Sequence, residues 1–167
     1  MDRKNGEEMF VVGDQIVYPM YGPGTVESIE ERECDGIRRK YYLMRIHKNS
    51  IQITVPCDNA RTLGVRNVIK ESELNSVRNT LKAATGEMAQ IWNRRYRDNM
   101  EKLKTGSIIY VAEVVRDLMR SDNTKKLSSG EKKMLTDAKQ ILTEELRLAS
   151  GKCVEEVNLL IEKAVMA

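Results

Sequence analysis

Thr25-Val-Glu-Ser-Ile-Glu-Glu-Arg-Glu-Cys-Asp-Gly-Ile-Arg-Arg-Lys-Tyr-Tyr-Leu-Met-Arg-Ile46 decides the fold of the first part of the chain. Asp35-Gly36 supplies two neighbouring residues that tolerate positive φ, which a tight hairpin demands. The flanks, Val26–Glu33 and Arg38–Ile46, read as its two strands. Upstream, Val12-Gly-Asp-Gln-Ile16-Val-Tyr18 reads as a first strand, with Ile16 and Tyr18 on one face. Pro19 stops ladder pairing there, and Gly22-Pro23-Gly24 reads as a turn rather than a phosphate loop, because no Lys-Ser/Thr pair follows it. Downstream, Lys48-Asn-Ser50 turns the chain into a strand with Ile51, Ile53 and Val55 on one face, ended by Pro56. Four or five short strands with turns this close predict a small β-barrel of SH3 or Tudor type over residues 9–68.

Near Glu71 the period changes. Leu74, Val77 and Leu81 recur at helical spacing over Glu71–Ala83, and Ala84-Thr85-Gly86 breaks the pattern. A second helix is predicted over Glu87–Leu103, with Gly106 suited to cap its end. Ser107–Arg120 carries a buried stripe of Ile108, Val111, Ala112, Val115, Leu118 and Met119. Ser128-Ser-Gly-Glu131 fits a capping box opening a long helix to about Ala149. After Ser150-Gly151 a last helix follows, with Val154, Val157, Leu160, Ile161 and Ala164 as its stripe. The expected class is therefore α+β in two domains, with a helical domain of about five helices over residues 69–167.

Composition narrows the function. The chain has 167 residues, 32% of them charged, and a net charge of +3, which permits nucleic-acid binding without requiring it. Cys34, Cys57 and Cys153 are odd in number and form no C-x-x-C pair, so buried thiols are expected rather than disulfides or a zinc site. Met1–Glu8 has no apolar core like that of a signal peptide, and no run of about 20 apolar residues could span a bilayer. His47, the single histidine, has no triad or metal constellation around it, and the acidic residues between Glu27 and Asp35 read as a solvated hairpin. A cytoplasmic protein without catalytic activity is expected, needing no cofactor, metal, membrane or small-molecule substrate.

Two basic segments remain. Trp92-Asn-Arg94-Arg95-Tyr96-Arg97 sets the only tryptophan beside three arginines. Guanidinium forks match phosphate oxygens, and an indole can stack on or wedge between bases. The spacing of Trp92, Tyr96, Met100 and Leu103 fits a core stripe equally, and by pattern alone the core reading of Trp92 leads. Lys125, Lys126, Lys132 and Lys133 flank the start of the long helix, either a phosphate seat or an ordinary solvated helix end.

In this order the motifs resemble the CarD/CdnL family of bacterial RNA polymerase-binding transcription regulators. The resemblance runs from Phe10 to about Val165. It rests on Val12-Gly-Asp14, Val17-Tyr-Pro19 with Gly22, Val55-Pro56, Asn59-Ala60, Gly64-Val-Arg66, Trp92-x-Arg94-Arg95-Tyr96, Val111–Leu118, Leu127-Ser-x-Gly130-Glu131-Lys132 and Ala138-x-Gln140-Ile-Leu142. It implies a Tudor-like domain that binds the RNA polymerase β subunit by sheet-edge pairing. It also implies a helical domain that contacts promoter DNA near the upstream edge of the bubble, without sequence-specific readout, stabilising the open complex from a place on the nucleoid. It places Arg32 and Thr54 at polymerase-holding positions, the second usually basic in the family, with Arg45 or Lys48 as neighbouring compensation. It makes Trp92 an exposed minor-groove wedge and assigns DNA contact to Arg94, Arg95, Arg97 and Lys132. An RNA- or ribosome-associated adaptor and a pure protein–protein adaptor are the alternatives that the residues leave open.

Overall fold

The computed structural model describes residues 9–167; Met1–Glu8, read above against a signal peptide, lies outside the described residues. Five strands, β1 (Gln15–Tyr18), β2 (Gly22–Cys34), β3 (Ile37–Ile46), β4 (Gln52–Pro56) and β5 (Arg66–Asn67), form one antiparallel sheet in the order β4-β3-β2-β1-β5. Asp35 and Gly36 take φ of 52° and 76° between the paired Cys34 and Ile37, the double positive-φ turn that the sequence predicts. The sheet is not closed. Among the described residues β4 and β5 each have one partner strand, so the expected barrel is an open sheet with two edges.

Ile16, Val26, Tyr42, Met44, Ile46 and Val55 fill the core beside Phe10. Tyr42 faces Val55 and Met44 faces Ile53 across the β3–β4 ladder, so this face of the sheet is apolar in register. Ile51 precedes β4 and is exposed, so the strand's apolar face is Ile53 and Val55 alone. A bulge between Val26 and Ser28 shifts the register of β2, and from Glu30 to Lys40 the hairpin is exposed. The Tyr42 hydroxyl accepts the backbone N–H groups of Met9 at 2.7 Å and Phe10 at 3.2 Å, which ties the start of the described chain to the sheet.

Gly22-Pro23-Gly24 is not the turn. The chain reverses one step earlier, over Pro19–Tyr21 with Met20 at φ 73°, and Gly22 opens β2. A Cβ on Gly24 would stand 2.5 Å from the Arg45 carbonyl oxygen, so glycine is required there for close strand approach.

Backbone contacts divide the chain between Val68 and Ile69. The second unit holds α1 (Leu74–Lys82), α2 (Trp92–Lys104), α3 (Ile108–Thr124), α4 (Ser129–Ser150) and α5 (Val154–Met166). Ile108, Val111, Ala112, Val115 and Leu118 are buried as the stripe predicts. Val154 is exposed, because it is the first residue of α5. Residues 71–73 form a 3-10 turn before α1, and the Glu73 carboxylate accepts the Lys70 N–H at 2.7 Å.

α2 starts at Trp92, five residues later than the predicted Glu87. Residues 84–91 before it are not helical, and the end of α1 just upstream is tied to α3. Arg120 donates to the Leu81 and Ala83 carbonyls, the Thr85 hydroxyl and the Val165 carbonyl, at 2.7–3.2 Å. Buried Arg116 bonds Asp117 and the Thr80 carbonyl. One arginine thus satisfies end carbonyls of α1 and α5 together. Of the cysteines, Cys57 is buried, but Cys34 and Cys153 are exposed, contrary to the buried reading. Cys34 sits at the hairpin tip and Cys153 just before α5, where no core reaches them. Among the described residues no helix is long and apolar enough to cross a membrane.

Burial pushes the Tyr42 phenol above its ordinary range, against the two N–H groups that favour its anion. A raised folded-state value gives a contribution fully present below the unfolded value of about 10 and lost as pH rises through the folded one. Urea unfolding of the wild type should therefore weaken above about pH 10, and Tyr42→Phe should flatten that decline while losing about 1–2 kcal/mol near neutrality with its hydrogen bonds. Parallel declines for the two proteins would remove Tyr42 as the cause.

Candidate functional site

Trp92 opens α2, so no preceding helical turn covers it. It lies on the face turned toward α4, yet remains 43% exposed. Its indole Nε1–H donates to Ser128 Oγ at 2.6 Å, and its ring stacks on Tyr96 at 5.7 Å between centroids. Both rings pack over Gly130, where a Cβ would stand in ordinary van der Waals contact, 3.7 Å from the indole and 3.5 Å from the Tyr96 ring.

Ser128 has a second task. Its hydroxyl accepts the Glu131 N–H at 3.2 Å and so caps α4. The reciprocal half of the predicted capping box is absent among the described residues. The Glu131 side chain, 1% exposed, takes Arg95 instead, at 2.5 Å. Its other oxygen has no hydrogen-bond partner there, nor does buried Asn99 Nδ2 on α2.

The basic cluster of α2 therefore divides. Arg95 is mostly covered and engaged by Glu131. Arg94 and Arg97 are exposed on the outer side of the helix and make no ion pair with any described residue. Lys132 and Lys133 are exposed in the first turn of α4, as are Lys125 and Lys126 before it. The structure thus gathers an indole, a capped helix start and exposed lysines. The sequence named Arg95 as a DNA contact, and its side chain is taken up inside the fold. Ser128 as the indole's partner was not read from the sequence; a serine cap paired 36 residues back has no local signal.

In the β unit, Arg32 extends from the exposed part of β2. It lies 3.3 Å from Glu30 and over the Tyr41 ring at 5.8 Å. Thr54 is exposed on β4, an edge strand, opposite Leu43. Arg45, the suggested compensation for Thr54, is engaged by the Glu27 carboxylate and the Ser50 carbonyl. The hydrogen bond to the Glu27 carboxylate, with its charge, raises the Arg45 pKa, and the Ser50 carbonyl accepts a second hydrogen bond from the same guanidinium. Among the described residues there is no cluster of His, Cys, Asp or Glu suited to a metal ion.

Two known families match in this order. Residues 10–69 match the family described as CarD-like/TRCF RID domain, and residues 76–162 match CarD, C-terminal domain. The Bacillus subtilis (strain 168) protein named "Putative transcription factor YdeB" is 37% identical over 143 residues, spanning 86% of this chain and 94% of that protein.

The serine contact is testable because Trp92 is the only tryptophan. Ser128→Ala should raise acrylamide quenching of its fluorescence and cost about 0.5–2 kcal/mol through the lost helix cap. Unchanged quenching alongside the stability loss would show that Ser128 caps the helix without holding the indole.

Proposed function

The chain belongs to the CarD family of transcription factors, and on that premise we propose that it bridges the RNA polymerase β subunit to upstream promoter DNA and holds the edge of the melted bubble open. The observation that carries this reading is Trp92. A large aromatic ring is held half-exposed at a helix start, with its polar edge already bonded and its position fixed. Burial would be the ordinary fate of such a ring. Exposed, it offers a surface for a base step to unstack against.

The surrounding charges support phosphate contact beside the wedge. Arg94, Arg97 and Lys132 are exposed cations on the two helices that carry the indole. Arg95 acts in this reading through Glu131, setting α2 against α4, and is a positioning residue. Phosphate attraction is independent of sequence and weakens with salt. Binding without base readout follows, since no base-reading side chain is needed.

The β domain supplies attachment to polymerase. Among the described residues β4 has a partner strand on one side only, so its outer backbone groups are offered to a strand from the β subunit. β5 has two residues and offers far less. Thr54 on β4 contributes no charge, which leaves main-chain pairing and Arg32 as the grip. The mechanism is kinetic. A wedge contributing about 1–3 kcal/mol slows bubble collapse by roughly 5- to 150-fold.

Trp92→Ala should shorten the open-complex lifetime by about that factor while β-subunit retention stays normal. Lifetimes equal to wild type would sink the wedge. Arg32→Glu should lower β-subunit retention in a pull-down and leave the salt-dependent DNA affinity of the full chain unaltered; full retention would remove Arg32 from the grip.

A further inference from the structure

A groove lies between α1 and α5, in the same helical unit but built from other residues than the Trp92 cluster. Its inner part is a cavity of about 170 Å³ walled by Leu74, Val77, Leu146, Val157 and Leu160. It opens onto a broader shelf of about 500 Å³ that shares Arg78, Lys152 and Leu160 with it and adds Lys82, Leu159 and Lys163. Leu159 on the shelf is 52% exposed.

The charges are lopsided. Arg78, Lys82, Lys152 and Lys163 are all exposed, and none makes an ion pair with any described residue. Glu71 lines the inner cavity and Glu156 the shelf, and neither neutralises one of these cations among the described residues. Four basic groups against two acidic ones, around an apolar hollow, define what fits.

We propose that the α1–α5 groove docks an acidic peptide segment of a partner protein, which inserts one apolar side chain into the hollow and sets its carboxylates on Arg78, Lys82, Lys152 and Lys163. The size argues for a single side chain: a cavity of about 150 Å³ lined by Leu, Ile and Phe accepts a benzene ring. It is small for a cofactor, whose pockets run from about 300 Å³ upward. The chemistry argues for a peptide over nucleic acid. A phosphate backbone would satisfy the four cations but carries no apolar group to fill the hollow. Exposed ion pairs each add little, so the anchor supplies affinity and the charges select the partner.

The test is a titration of the labelled full chain, followed by amide NMR, with the peptide acetyl-Glu-Asp-Glu-Phe-Glu-Asp-Glu-amide. Saturable shifts are expected at residues 78, 82, 152, 160 and 163, with the Trp92 indole signal unmoved. Changing the peptide's Phe to Ser should weaken binding at least about tenfold, and so should Lys82→Glu combined with Lys163→Glu. Both lysines lie in last helical turns, where reversed charge could loosen the helix ends. Arg78→Gln with Lys152→Gln provides a second variant, expected to weaken binding at least about threefold. Absence of groove shifts at millimolar peptide overturns the proposal. So does equal binding of the Ser peptide, which would make the site a charge patch only. Groove shifts produced by a short DNA duplex at lower concentration than by the peptide overturn it in favour of nucleic acid.

Discussion

A buried carboxylate orders the helical unit. Glu131 is withdrawn from water at the head of α4, where an unpaired charge would be costly. Arg95 reaches it from α2. That pairing holds the first turn of α2 against the start of α4, where a second contact, three residues earlier on each side, joins Trp92 to the N-cap Ser128. The indole's place is thus a consequence of where an ion pair must close. Gly130, between the two contacts, lies under both aromatic rings.

The same economy of anchors recurs elsewhere. Arg120 gathers the ends of α1 and α5 onto α3, and residues 84–91 that follow α1 are not helical before α2 opens at Trp92. Had that segment been helical from Glu87, another turn would precede Trp92 and add side chains around it. Exposure of the indole therefore goes with the place where α2 begins. In the β unit, Arg45 fixes Glu27 at the bulge and Ser50 at the turn before β4. The arginines that matter most to the architecture are engaged, whereas Arg94 and Arg97, which the proposed DNA contact uses, are left exposed.

Legibility in the sequence followed the range of the interaction. The Asp35-Gly36 hairpin was readable because its cause is local, two residues able to take positive φ. The α3 stripe was readable because a helix repeats its own geometry. Gly22-Pro23-Gly24 was misread, since the demand on Gly24 comes from the Arg45 carbonyl on the neighbouring strand. The capping box at Ser128 was half right: the cap is local, but Glu131 answers to Arg95 36 residues away. Spacing alone reads Trp92 as core, whereas the ring is 43% exposed at the first residue of α2. The order of motifs along the whole chain carried the family, although each motif alone was ambiguous.

The open β4 edge has a consequence for the life of the free protein. An unpaired strand is a template for any extended chain, including a second copy of itself, and no strand, helix or loop is paired along the outer side of β4 among the described residues. Its short length and terminal Pro56 limit such mispairing without abolishing it. Occupation of that edge by polymerase would then act as a chaperone as well as an anchor. On the proposed attachment, the amount of protein that stays in usable form would be tied to the amount of polymerase available to receive it, a stoichiometric coupling set by backbone geometry rather than by any regulator.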